Sequence, residues 1–202
     1  MNGERETSRT DFCIVDPSTT RQASPAAPRV VWGKNKQLKV YWESGYFWQN
    51  EDFEREWCIM RNYDGNPGTG VCYDEQEIVP CDPKQTYIAK CGKAEAKQQF
   101  DIGLVNGDVD TFMIRVSNSD NCLQLDNRNI VLHECDASSN LQHWNTINGG
   151  FDGNRFEIVP STLPTHCVTQ DHQPKAGELV RIYRCELPRR PDTLSSFWEF
   201  FD

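Results

Sequence analysis

The sequence predicts an all-β domain assembled from three related units and preceded by an extended arm. Two observations carry this. First, three segments end alike: Tyr87-Ile88-Ala89-Lys90-Cys91, Val131-Leu132-His133-Glu134-Cys135 and Arg181-Ile182-Tyr183-Arg184-Cys185 each read as a short strand closed by cysteine. Second, the spacing continues beyond those cysteines. Phe100 stands nine residues after Cys91 and Trp144 nine after Cys135, each two residues beyond a glutamine, Gln98 and Gln142. Phe100 to Phe112 and Trp144 to Phe156 are both twelve residues, and Cys122 and Cys167 follow ten and eleven residues later. In the third unit Trp198 follows Cys185 by thirteen, the extra residues fitting the insertion Pro188-Arg189-Arg190-Pro191. A repeat of this kind marks one supersecondary unit that cannot bury its apolar face alone.

Taken in order, residues 1–29 are polar, lack a hydrophobic period and read as a disordered or extended N-terminal arm. Cys13 is stranded in it, one of nine cysteines, either free or linked to another chain. Residues 30–56 form an aromatic-rich lead-in packing on the first repeat; eight aromatics fall in Trp32–Trp57. Within it Leu38, Val40 and Trp42 alternate with Lys39 and Tyr41, the pattern of a half-buried strand. Residues 57–202 then hold three pseudo-repeats of four strands. Closed around an axis, six strands form a barrel and six form hairpins that cap it, leaving no long edge. The aromatic of each Gln-x-aromatic element is expected in the shared core, and its glutamine on backbone in the adjoining turn, because a buried amide needs partners.

The cysteine that opens strand two and the one that closes strand three of each unit fall on neighbouring strands. Cys122–Cys135 and Cys167–Cys185 are therefore expected disulfides. The first unit holds Cys58, Cys72, Cys81 and Cys91. There Cys72–Cys91 leaves Cys58–Cys81, whereas Cys81–Cys91 leaves Cys58–Cys72. Such cysteine usage points to an oxidising, secreted or lumenal compartment. The polar start of the chain shows no export signal, so a fragment, a processed form, or a signal outside the visible chain is expected.

Composition removes several classes of function. Residues 1–30 carry four Arg and four Asp/Glu, so the formal charge of −9 lies on 31–202. An acidic folded part repels phosphate backbones and anionic lipid, which argues against nucleic-acid binding. No run approaches the length of a membrane span. His133 and Cys135 are close in sequence, but the cysteine has a disulfide partner, so no metal site is expected. The glycines at 65, 68 and 70 lack a following Lys-Ser/Thr and read as a turn. Nothing singles out a pair of carboxylates or a nucleophile, and neither enzymatic activity nor a cofactor is expected.

With Gln142-His143-Trp144, Gln98-Gln99-Phe100 and the Cys-flanked stretches Cys122–Cys135 and Cys167–Cys185, residues 57–202 resemble the ricin B-type (QxW) lectin family. The resemblance implies a β-trefoil fold and a non-catalytic carbohydrate-binding module whose partner is a glycan or glycoprotein. A protein partner held through the N-terminal arm is the alternative, with the trefoil as a scaffold for assembly. Sugar sites of that family combine an Asp two residues after the first Cys, an aromatic near the end of strand three, and an Asn or Gln beside the QxW element. The Asp place is held by Gln124 and Thr169, and by Asp74 if Cys72 is the equivalent cysteine. The aromatic place is Ala89, His133 and Tyr183 in turn. The candidate ligand-binding residues are thus Gln124, Asp126, His133 and Asn140 in copy two, and Asp171, His172 and Tyr183 in copy three. Copy three is the best placed, because Tyr183 could stack on a pyranose with Asp171 folded over it.

Overall fold

The computed structural model describes residues 28–41, 57–61, 65, 71–74, 77–92, 95–108, 110–147, 156–171, 176–185, 194–195 and 197–201. Most of the arm, Cys13, most of the aromatic stretch after Tyr41, Gly68, Gly70, His172 and the Pro188–Pro191 insertion lie outside them. The strands are β1 (Val30–Tyr41), β2 (Trp57–Arg61), β3 (Cys72–Asp74), β4 (Glu77–Val79), β5 (Thr86–Lys90), β6 (Phe100–Val105), β7 (Thr111–Val116) and β8 (Asn121–Asp126). Then come β9 (Asn129–Glu134), β10 (Trp144–Ile147), β11 (Phe156–Pro160), β12 (His166–Asp171), β13 (Arg181–Arg184), β14 (Leu194–Ser195) and β15 (Phe197–Phe201). Two short 3-10 turns, Ala96–Gln98 and Asn140–Gln142, precede β6 and β10.

The sheet curls. β1 pairs β6, β6 pairs β7, β7 pairs β10, β10 pairs β11, β11 pairs β15, and β15 returns to β1, all antiparallel. Each of these strands is therefore paired on both sides, which removes the exposed edges that a sheet otherwise has to protect. Alternation explains the interior: Phe112, Ile114 and Val116 of β7 point one way and join Phe100, Trp144, Ile158 and Trp198 in the main core. Outside the ring, Met113 packs with Val105, Cys122 and Trp32. β1 is thus hydrogen-bonded to strands far along the chain, and Trp32 lies opposite Gly103. Arg29 extends this junction, its N–H donating to Asn106 Oδ1 at 3.1 Å and its carbonyl accepting from Asn106 N–H at 2.7 Å.

Three hairpins, β2–β5, β8–β9 and β12–β13, extend beyond the ring, with β2 pairing β1 and β8 pairing β7. Thr86, Ile130 and Val180, each five residues before a closing cysteine, pass hydrogen bonds around a circle. Val180 N–H donates to Thr86 O (3.0 Å) and Ile130 N–H to Val180 O (3.4 Å). The Thr86 hydroxyl completes it by donating to Ile130 O at 2.9 Å, fully buried.

Four disulfides join described residues: Cys58–Cys91, Cys72–Cys81, Cys122–Cys135 and Cys167–Cys185. The last two are as the repeat predicts. In the first copy both pairings left open by the sequence are corrected. Cys58 opens β2 opposite Ala89, beside Cys91 at the end of β5, the same relation that Cys122 has to His133 and Cys135. Cys72 and Cys81 instead close a separate hairpin, β3–β4, inserted between β2 and β5. Cys72 and Cys81 thus belong to an insertion and not to the repeat, which is why repeat spacing mispairs them. It follows that Asp74 does not occupy the place two residues after the repeat cysteine; Met60 does. Among the described residues no helix is long and apolar enough to cross a membrane.

Candidate functional site

The elements that set up the candidate faces are two glutamines. Gln98 and Gln142 are both essentially inaccessible. Gln98 donates to Lys90 O (2.6 Å) and accepts from Gly92 N–H (2.8 Å). Gln142 donates to Glu134 O (2.8 Å) and accepts from Asp136 N–H (2.9 Å). The partners are equivalent, one residue before and one after the closing cysteine. Each amide thus ties the end of strand three to the following turn and delivers the next aromatic to the core. Trp144 Nε1–H donates to Leu123 O (3.2 Å) and Trp198 Nε1–H to Val168 O (2.8 Å), in each case the residue after the opening cysteine. These tryptophans are core residues with their polar atoms spent internally.

In copy two, Leu123, Leu125 and Ile130 face the core, so Cys122, Gln124, Asp126, Val131 and His133 share the other face of the β8–β9 hairpin. The face is not a convergent site. His133 is opposite Cys122 at one end, whereas Asp126 is opposite Asn129 at the other. Four residues of strand separate those ends, about 13 Å. Gln124 stands between them with its carbonyl oxygen accepting from Gln142 Nε2 at 3.0 Å. Asp126 accepts from the Asn127 amide at 3.1 Å and is exposed. His133 is exposed, its Nδ1 3.4 Å from Glu134 O. Asn140 is exposed in the 3-10 turn, its carbonyl accepting from the Ser161 hydroxyl at 3.2 Å. Beside it the Asp136 carboxyl is held below the usual carboxylate range by the Ser138 hydroxyl and backbone N–H.

In copy three, β12 and β13 pair with Cys167 opposite Tyr183 and Thr169 opposite Arg181. Val168 and Ile182 face the core. Thr169, at the place where the resemblance implies an Asp, is buried. Tyr183 is half-buried on the outer face, and the guanidinium of Arg128 lies over its ring, 4.5 Å from the centroid. Arg128 reaches it from the β8–β9 turn, where its carbonyl accepts from Ile182 N–H at 2.9 Å. Two residues earlier on β13, Arg181 forms an ion pair with Asp74. The inserted β3–β4 hairpin carries that carboxylate there, docked by Tyr73 N–H on Gly177 O (2.8 Å) and Leu179 N–H on Tyr73 O (3.0 Å). Asp171 ends β12 with its backbone paired to Leu194; His172 is outside the described residues. Arg128, from the β8–β9 turn, and Asp74, from the insertion, both reach β13 from outside copy three, contacts that repeat spacing misses. Among the described residues, no cluster of three or more His, Cys, Asp or Glu side chains gathers as a metal site.

No family model and no curated protein matches the chain. Solved structures do resemble it. A mosquitocidal holotoxin matches over 82% of this chain with a TM-score of 0.53 and 12% identity, the chain spanning 17% of that protein's length. The cytolethal distending toxin from Actinobacillus actinomycetemcomitans matches over 81% of this chain and 88% of its own, with a TM-score of 0.51 and 10% identity. A chicken interleukin-1 mutant matches over 85% of this chain and 99% of its own, at 0.50 and 8%. At such identities the likeness is one of fold: the chain is an all-β protein whose structural neighbours include β-trefoils.

Proposed function

We propose that the chain is a β-trefoil of three four-stranded units, of the ricin B lectin type, and serves as a non-catalytic carbohydrate-binding module in an oxidising, secreted or lumenal setting. The observation that carries this is the buried glutamine clamp, which recurs with equivalent backbone partners at Gln98 and Gln142. It gives the QxW spacing a physical role and makes the resemblance more than a string match. On this reading the trefoil starts before residue 57, because β1, in the stretch expected as a lead-in, is the first strand of copy one; residues 1–29 form an arm, and the ligand is a glycan or glycoprotein. The ligand faces are those of the β8–β9 and β12–β13 hairpins. They bear Gln124, Asp126 and His133 in copy two, with Asn140 in the 3-10 turn that follows, and Tyr183 with Asp171 and His172 in copy three. A glycan array probed with the full chain tests it. Saturable binding to a defined glycan, retained after Trp144→Phe and weakened by Tyr183→Ala in a folded protein, is the expected result. No binding to any glycan at high protein concentration would sink it.

A second reading is favoured by two contacts. The Gln124 carbonyl is engaged by Gln142, and one face of the Tyr183 ring is under Arg128. Both contacts fit an assembly subunit that keeps the trefoil as a scaffold and grips a protein partner, the arm contributing. Capture of a single stoichiometric protein partner, with a silent glycan array, would select it.

A further inference from the structure

We infer that the copy-three face selects acidic saccharides, those bearing a carboxylate, over neutral ones. This rests on the carbohydrate-binding reading and names its ligand class. An aromatic ring has two faces on which a neutral pyranose could lie. One face of Tyr183 carries the Arg128 guanidinium at 4.5 Å, and the residue is already half-buried. A flat sugar therefore meets a cation where it would otherwise meet a π face. What the ring and guanidinium present together is a planar fork of N–H donors beside an apolar wall. That suits a carboxylate held by two parallel N–H···O bonds, with the sugar body against the tyrosine edge.

The backbone that carries the exposed Arg128 is held in place. Asn127 before it takes the left-handed conformation, φ 56°, which asparagine tolerates better than most residues. Its own carbonyl is bonded to Ile182 N–H at 2.9 Å, so the turn of copy two is locked to β13. A guanidinium has five N–H donors and a carboxylate takes two, so an existing partner of Arg128 leaves capacity for a ligand. Arg181, the next cation on the same face, is neutralised by Asp74. Arg181 and Arg128 thus differ in what they face: a carboxylate from the insertion in one case, the ring of Tyr183 in the other.

The test is an NMR titration of the full chain with methyl β-glucuronide, methyl β-glucoside and sodium acetate in parallel. The first two differ in the carboxylate; acetate supplies that group without the sugar. Saturable shifts at Arg128, Tyr183 and Ile182 with glucuronide, about tenfold tighter than with either other probe, are expected. Arg128→Gln should bring the glucuronide down to the glucoside, and Arg128→Lys, which keeps the charge without the planar fork, should fall between. Equal affinity for glucuronide and glucoside would overturn the acidic preference and leave the carbohydrate reading standing. Equal affinity for acetate would make the site a bare anion site. Silence of all three probes at this face would overturn the inference, and only a glycan array silent as well would take the carbohydrate reading with it.

Discussion

Trp144 offers the sharpest separation of a structural from a binding role. It is 1% exposed in the main core, and its indole N–H donates to Leu123 O at 3.2 Å. Trp144→Ala removes the largest kind of side chain and leaves a cavity, a change that costs about 3–5 kcal/mol in well-packed cores. Leaving Leu123 O without its donor adds about 1 kcal/mol. Trp144→Phe should be far milder, about 1–2 kcal/mol, because the equivalent place in copy one is already filled by Phe100, fully buried and with no N–H to spend. Urea denaturation reads the difference. With a slope of about 2 kcal/mol/M, a loss of 4 kcal/mol moves the midpoint by about 2 M, and the phenylalanine variant by less than about 1 M. A Trp144→Ala protein that unfolded at the parental midpoint while losing ligand binding would refute the core assignment, and with it the three-fold packing scheme.

Thr86→Val removes the hydroxyl that donates to Ile130 O in the buried cap; a loss of about 1–2 kcal/mol in the same assay is expected, and none would show the cap circle to be dispensable. Gly103→Ala drives a Cβ into Val30 Cγ1 and to 2.6 Å from the Trp32 ring. It should cost about 1–3 kcal/mol and be partly relieved by Trp32→Ala, a coupling that a double-mutant cycle measures. Non-reducing peptide mapping should recover Cys58–Cys91 and Cys72–Cys81 as separate linked pairs; a Cys58–Cys81 peptide would contradict the placement of the insertion. Burial holds the Tyr87 phenol above its ordinary value of 10.0. The neutral form is thus favoured in the folded state, so its contribution is complete below pH 10 and is lost as the pH rises toward the folded value. Tyr87→Phe should flatten that alkaline decline in melting temperature.

The core is legible because spacing is local: the glutamine two residues before Phe100 and Trp144 is a statement about neighbours in sequence, and the structure buries both aromatics as expected. The ring is less so, because residues 30–56 read as a lead-in, whereas β1 is one of its strands through pairings with β6 and β15. The same locality explains the failure at Cys58. Strand pairing put Cys58 beside Cys91, but a hairpin inserted between them brought two further cysteines, and spacing could not tell insertion from repeat. Asp74 failed for the same reason, being assigned to copy one by a cysteine that belongs to the insertion.

The candidate site was the least legible part, and the geometry of the cap gives the reason. A residue at a hairpin tip meets the next copy, not its own. Arg128 closes the copy-two hairpin, yet its guanidinium stacks on Tyr183 and its carbonyl accepts from Ile182. Asp74 leaves copy one to pair with Arg181. Aligning the copies compares each residue with its equivalents and is blind to these contacts across the cap. On the lectin reading proposed above, Tyr183 holds the place of a stacking aromatic, and Arg128 from the neighbouring hairpin limits what can approach its ring. If that proposal holds, Arg128→Ala should alter ligand choice at Tyr183 while leaving copy three itself unchanged. Unchanged selectivity in that variant would return the site to copy three alone.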